Sequence, residues 1–272
     1  MEPRALLPGA DLTRLRQAND ALLHVARPVM DQLFTTVGRT GCCVALSNVD
    51  GVILDSRATD GDRTMFDMVG LTAGARWSEA TEGTNGIGTC LTERRSVVIH
   101  RDQHFASRNI GISCMDAPVH DPSGQLVAAL DVSSCRDDHG EAMASLIATV
   151  VQDAARRIER DYFLHAFRGV RIVMAPDDAV GTAMLAVDRD DIVVGASRAA
   201  RQRFHLSEES LRRPRTATEI LGEAVPPSLD DGERAALRQA MASAEGNATR
   251  AAALLGISRA TFYRRMERCG LH

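Results

Sequence analysis

The sequence predicts an α+β protein whose chain ends in an all-α unit, on three observations. Between residues 42 and 132, short apolar runs rich in Val, Ile and Leu alternate with turn residues, as strands of a meander do. From about Asp138 the apolar period lengthens, and Met143, Ile147, Val151, Ala154 and Ile158 fall three or four apart, the stripe of a long helix. From Arg234 onward, helix-forming runs are separated only by Glu245-Gly246 and Gly256-Ile257-Ser258.

Taken in order, Asp11 to Gly38 reads as helix interrupted near Pro28, because proline lacks the backbone donor and clashes with the preceding turn. Cys42 to Leu46 and Val52 to Leu54 read as a hairpin turned by Asn48, Asp50 and Gly51. A short helix is expected over Thr64 to Leu71, then a glycine-rich turn from Gly83 to Gly88. Strands follow at Val97 to Ile99, Ile112 to Val119 and Leu126 to Val132, the last two joined by the turn Asp121-Pro122-Ser123-Gly124, giving a mixed or antiparallel sheet. The stripe of the long helix needs a partner, either the sheet or its own counterpart in a homodimer. Met184 to Val187 and Ile192 to Val194 form a second hairpin signal, with a helix from about Arg198 to Phe204. Prolines between Arg212 and Pro227 mark a linker. The expected division is 1–165, 166–229 and 230–272.

Composition bounds the function. At 272 residues the chain has room for roughly two domains of about 150 residues, and 44% hydrophobic with 25% charged residues is the balance of a folded protein. The net charge of -4 hides an asymmetry: from Asn247 to the end, five arginines face only Glu267, so this tail is basic and the body acidic. All 32 basic residues are arginine. The N-terminus lacks the cationic start and apolar run of an export signal, and no 18-residue apolar stretch occurs, so a cytoplasmic protein without membrane association is expected. The cysteines at 42, 43, 90, 114, 135 and 269 contain no CxxC spacing, which disfavours a structural zinc ribbon, and no metal or cofactor is assigned.

The sharpest signal lies at the end. Leu237, Ala240, Met241 and Ala244 share one helical face; Asn247 can cap the next helix, whose buried side is Ala251, Leu254 and Leu255; Gly256 suits positive φ and Ser258 caps the last helix. Phe262 and Met266 face inward on that helix, leaving Arg259, Thr261, Tyr263, Arg264, Arg265 and Arg268 for double-stranded DNA, where arginine can fork onto guanine and phosphates add affinity. The bland reading is a three-helix cap whose arginines only solvate the surface. The run GNATRAAALLGISRATFYRRMERCGL resembles the helix-turn-helix of the factor-for-inversion-stimulation type, which implies Asn247 to Leu255 as supporting helix, Ser258 to Arg268 as recognition helix, and operator binding as a homodimer.

GTNGIGTCLTERRSVVIHRDQHF and CMDAPVHDPSGQLVAALDVSS resemble the GAF sensor domain of acetoin- and dihydroxyacetone-type bacterial activators, a six-stranded, helix-flanked fold. Residues 181 to 221 are similar to a degenerate form of the small PAS-like unit that follows it in those regulators. The resemblance implies a small-molecule effector near Asn85, Thr89, Cys90, Cys114 and Asp116, although Asn85 and Thr89 equally suit turn and cap roles, and NIGIS departs from the family's text before Cys114. Such activators carry a central ATPase, whereas this sequence has neither GxxxxGK[ST] nor any lysine to hold a phosphate. Recruitment of RNA polymerase, repression or assistance to another regulator is therefore expected in place of ATP-driven opening. Cys90, Cys114, His100 and His104 raise metal or thiol sensing as an alternative. An architectural DNA protein whose front region only dimerises is the second reading. A GAF-type redox enzyme is the third; with no Ser-His-Asp order or nucleotide site, the chain is read as not an enzyme.

Overall fold

The computed structural model describes residues 6–175, 181–222 and 229–271. Two helices open the chain, α1 (Gly9–Ala18) and α2 (Asp20–Val37). The break expected near Pro28 falls instead at Asn19, and Pro28 sits inside α2. Pro28 and His24, whose carbonyl loses its helical donor, both lie on the exposed face, where water can serve that carbonyl. The opposite face carries Leu22, Leu23, Ala26, Met30 and Leu33 into the core.

The strands are β1 (Cys42–Asn48) and β2 (Ile53–Arg57), then, after α3 (Asp60–Val69), α4 (Glu79–Glu82) and α5 (Gly86–Glu93), β3 (Val97–His100), β4 (Ser113–His120) and β5 (Leu126–Ser134). They form one sheet in the order β2-β1-β5-β4-β3, every neighbouring pair antiparallel. Five strands stand where the resemblance implied six. The sixth position is taken by a short segment bonded to the start of β2, with an isolated bridge from Val52 to Arg76. Gly74, at φ +91°, turns this segment before it can extend the ladder.

Period-two alternation divides the sheet into two faces. Val44, Leu46, Met115, Ala117, Leu130 and Val132 point to one side, covered by α2 and by α6 (Glu141–Ala166). Ile147, Val151, Ala154 and Ile158 of α6 are buried there, so the long stripe packs within the chain, while Met143 lies off it at 38% exposure. Cys43, Ala45, Cys114 and Ala129 point to the other side, covered by α3, α5 and Trp77, whose indole N–H donates to the Gly70 carbonyl at 2.7 Å.

A second, three-stranded antiparallel sheet follows α6: β6 (Arg171–Met174), β7 (Met184–Val187) and β8 (Val193–Ala196), in that order, with α7 (Arg198–Arg203) and α8 (Glu208–Arg212). The expected hairpin is β7–β8. β6 escaped the sequence reading because its four residues, opening on Arg171, are too few to show an alternation. The chain forms two compact units, Met1–Arg215 and Thr216–His272. In the second, α9 (Ala217–Leu221) precedes α10 (Leu229–Ser243), α11 (Ala248–Leu254) and α12 (Arg259–Arg268).

Candidate effector face and candidate DNA interface

The covered face of the first sheet holds a buried polar cluster. Asp116 on β4 is paired in register with Asp131 on β5, and Cys114 with Ser133. All four are at most 2% exposed. Ser133 Oγ donates to Asp131 at 2.9 Å and lies 3.2 Å from Cys114 Sγ, while His104 Nε2 lies 3.4 Å from the same sulfur. Among the described residues no N–H or hydroxyl donor reaches either Asp116 oxygen, which leaves Asp131 as its polar neighbour. Burial, then the neighbouring Asp131 charge, pushes the Asp116 carboxyl well above the carboxylate range, and burial raises Asp131 to about 7. Two carboxyls this close in a dry site hold a proton between them at neutral pH.

Helix α5 presses on this pair through Gly86. A Cβ there would stand 2.1 Å from Asp116 Oδ2 and 2.4 Å from Cys114 Cβ, so only glycine permits the approach. Asn85 is buried and caps α5: its side-chain oxygen accepts from Gly88 N at 2.8 Å and its amide donates to the Gly83 carbonyl at 2.8 Å. Thr89 Oγ1 donates to Glu79 at 2.8 Å. The structure thus brings Cys90, Cys114 and Asp116 onto one buried face and occupies Asn85 and Thr89 in local structure. The sequence reading missed Asp131, Ser133 and Gly86; the strand alternation of ALDVSS, once registered on CMDAP, was the signal that could have found the first two.

The metal or thiol alternative gains little from this geometry. His104 meets Cys114, but His100 Nε2 lies 3.4 Å from the His139 carbonyl. Among the described residues no group of three or more His, Cys, Asp or Glu side chains could hold a metal ion. Burial raises the Cys90 and Cys114 thiols well above their ordinary value, which disfavours the reactive thiolate.

In the second unit, Asn247 Oδ1 accepts from Thr249 N at 3.0 Å and Arg250 N at 3.1 Å, and Ser258 Oγ accepts from Thr261 N at 3.1 Å, so both caps are where the sequence places them. Gly256 adopts φ +67° between them. Phe262 is fully buried among Leu237, Ala240, Ala251 and Ala252. Leu254, expected inside, is 62% exposed; α11 turns Ala251, Ala252 and Leu255 inward, and Leu254 falls outside that arc. α10 begins at Leu229 instead of Arg234, running through Gly232.

The proposed reading residues of α12 separate by geometry. At about 100° per residue, Arg264 stands roughly 200° from Phe262, on the outer face with exposed Tyr263. The Arg259 guanidinium lies over the Tyr263 ring, 5.6 Å from its centroid. Arg265 and Arg268 reach back to Glu233 of α10, the first at 3.3 Å and the second in close contact. Thr261 is half-buried beside its cap.

A GAF domain model matches residues 21–158, half of the chain, and the model of the Fis family of bacterial regulatory proteins matches 228–268. The chain belongs to the GAF-domain family. Its GAF region lies ahead of a Fis-type helix-turn-helix with no ATPase signature between them. The chain is 29% identical over 206 residues to the acetoin catabolism regulatory protein of Cupriavidus necator, covering 74% of this chain and 31% of that one. It is 25% identical over 213 residues to a signal-transduction and transcriptional-control protein of Clostridium beijerinckii, covering 77% and 33%. The chain therefore spans about a third of the length of these relatives. The E. coli DhaR(N)–DhaL complex contains a chain of the same fold, with TM-score 0.54 at 13% identity over 82% of this chain and 78% of that one. No helix among the described residues is long and apolar enough to cross a membrane.

Proposed function

We propose that this GAF–Fis chain is an effector-responsive, sequence-specific DNA-binding transcriptional regulator that acts without an ATPase of its own. The observation that carries this reading is α12: a helix capped by Ser258, anchored by Phe262 and turning Arg264 outward, in a unit of the Fis family. A helix so presented fits the major groove with its N-terminal half at the base edges. Arg264 and Arg259 are the primary DNA contacts, with Thr261 and Tyr263 beside them. Arg265 and Arg268 contact phosphate at the cost of their hold on Glu233. The protein acts in the cytoplasm as a homodimer on paired half-sites, with RNA polymerase as the candidate partner. A small effector acts through the face built by Asn85, Thr89, Cys90, Cys114 and Asp116, in a sensing part that extends to about residue 165.

The test is to select genomic DNA with the full chain, then measure its affinity for the selected sites with and without a panel of small carbon compounds under reducing conditions. Selective binding that shifts with at least one compound is the expected result. Selective binding that no compound changes, in vitro or in transcription, replaces this reading with an architectural one. Binding without selectivity likewise favours the architectural reading, and no DNA binding at all removes both.

A further inference from the structure

We propose that the first unit carries a second small-molecule site, separate from the GAF sheet face, for a small monocarboxylate that also bears a hydroxyl or ammonium donor. A cavity of about 390 Å³ lies between α6, the turn joining β4 to β5, and the start of β7 and α7. That volume falls within the range of about 300–1,000 Å³ common to small-molecule sites. Buried Phe163 and Met184 give it an apolar wall.

The charges explain the ligand class. Arg156, Arg157, Arg160 and Arg198 line the cavity, with Asp121, Asp153 and Glu159 among them. Arg157 donates to Gln32 at 2.6 Å and Arg160 to Asp161 at 2.8 Å. Arg198 is placed differently. Its Nη2 stands 3.7 Å from Glu159 Oε2, while the other Glu159 oxygen accepts from His120 N and lies 2.6 Å from His120 Nδ1. The Arg198 side chain lines the cavity at 28% exposure, and no hydrogen bond among the described residues ties its guanidinium. A guanidinium that lines a cavity without a hydrogen bond is matched by a carboxylate, whose two oxygens fit its planar donor fork. Asp161, outside the cavity, holds Arg160, so the other three arginines match the three acids; a monoanion on Arg198 disturbs that balance least, whereas a phosphate dianion would crowd those carboxylates. The same acids can accept from a hydroxyl or ammonium group on the ligand.

The experiment is calorimetric titration of the full chain with lactate, glycerate, glycine and serine, alongside propane-1,2-diol and inorganic phosphate. Saturable binding of at least one hydroxy or amino acid is expected, with the diol and phosphate silent. R198Q should weaken that binding by roughly tenfold or more, as loss of a charge-assisted bond does. T182Y, which fills the cavity from its rim, should do the same while leaving every charge in place. Should R198Q fail to fold, as judged by circular dichroism, T182Y decides. No binding by any of the four acids, tighter binding of phosphate, or binding that both folded variants leave unchanged overturns the proposal. Binding is read without DNA, so its failure is distinct from failure of the regulatory reading.

Discussion

Gly86 and Asp116 form the tightest junction of the sensor face, and each allows a test. Adding one methyl group at Gly86 places it against Asp116 Oδ2 and the Cys114 side chain, so G86A should destabilise the protein by about 1–3 kcal/mol, measured by denaturant unfolding. The Asp116–Asp131 pair makes a pH prediction. Both carboxyls have folded values above the unfolded one, so the folded state binds more protons and stability falls as pH rises from the ordinary carboxylate value towards about 7. D116N keeps the shape, removes one of the two charges and supplies an amide donor to Asp131. Its melting temperature should fall less between pH 5 and pH 8 than that of the parent protein; an equal or steeper fall would show that the pair is not the source of the slope.

At the scale of elements, the helix-turn-helix rests on two side-chain caps and one aromatic anchor. N247A and S258A should each cost about 1 kcal/mol of stability in the second unit, because each leaves backbone donors of a first turn unpaired. R264A and R265A should differ. Arg264 stands outward, so its loss should weaken DNA binding and lower the salt dependence by about one counterion with melting unchanged. Arg265 is tied to Glu233, so R265A should lower melting as well. Equal DNA affinity for R264A and the parent, measured at moderate salt, would remove α12 as the reading helix.

For the whole molecule, the long helix α6 carries the main structural consequence. Its stripe is consumed by α2 and the sheet, so V151D places a charge in the dry core and should unfold the first unit instead of merely parting two copies. A folded, monomeric V151D by circular dichroism and light scattering would return the stripe to the dimer seam. On the present packing, a homodimer must use other surface, and α6 offers exposed Leu146 and partly exposed Leu164.

The sequence by itself determined most elements of the first sheet and the caps of α11 and α12. Caps, glycine at positive φ and residue periodicity act over a few bonds, and Asn247, Gly256, Ser258 and Phe262 stand where that local chemistry puts them. It also separated the sensor strands, because turn residues such as Asp121 and Gly124 act locally too. The tertiary structure alone decided what faces what. Whether the α6 stripe meets a sheet or a second copy, whether Arg265 meets DNA or Glu233, and that Asp131 stands beside Asp116, all depend on register and packing between residues distant in the chain. Pro28 makes the same point in reverse: local chemistry predicts a break, and burial of Leu22, Leu23, Ala26, Met30 and Leu33 along the opposite face keeps α2 continuous through it.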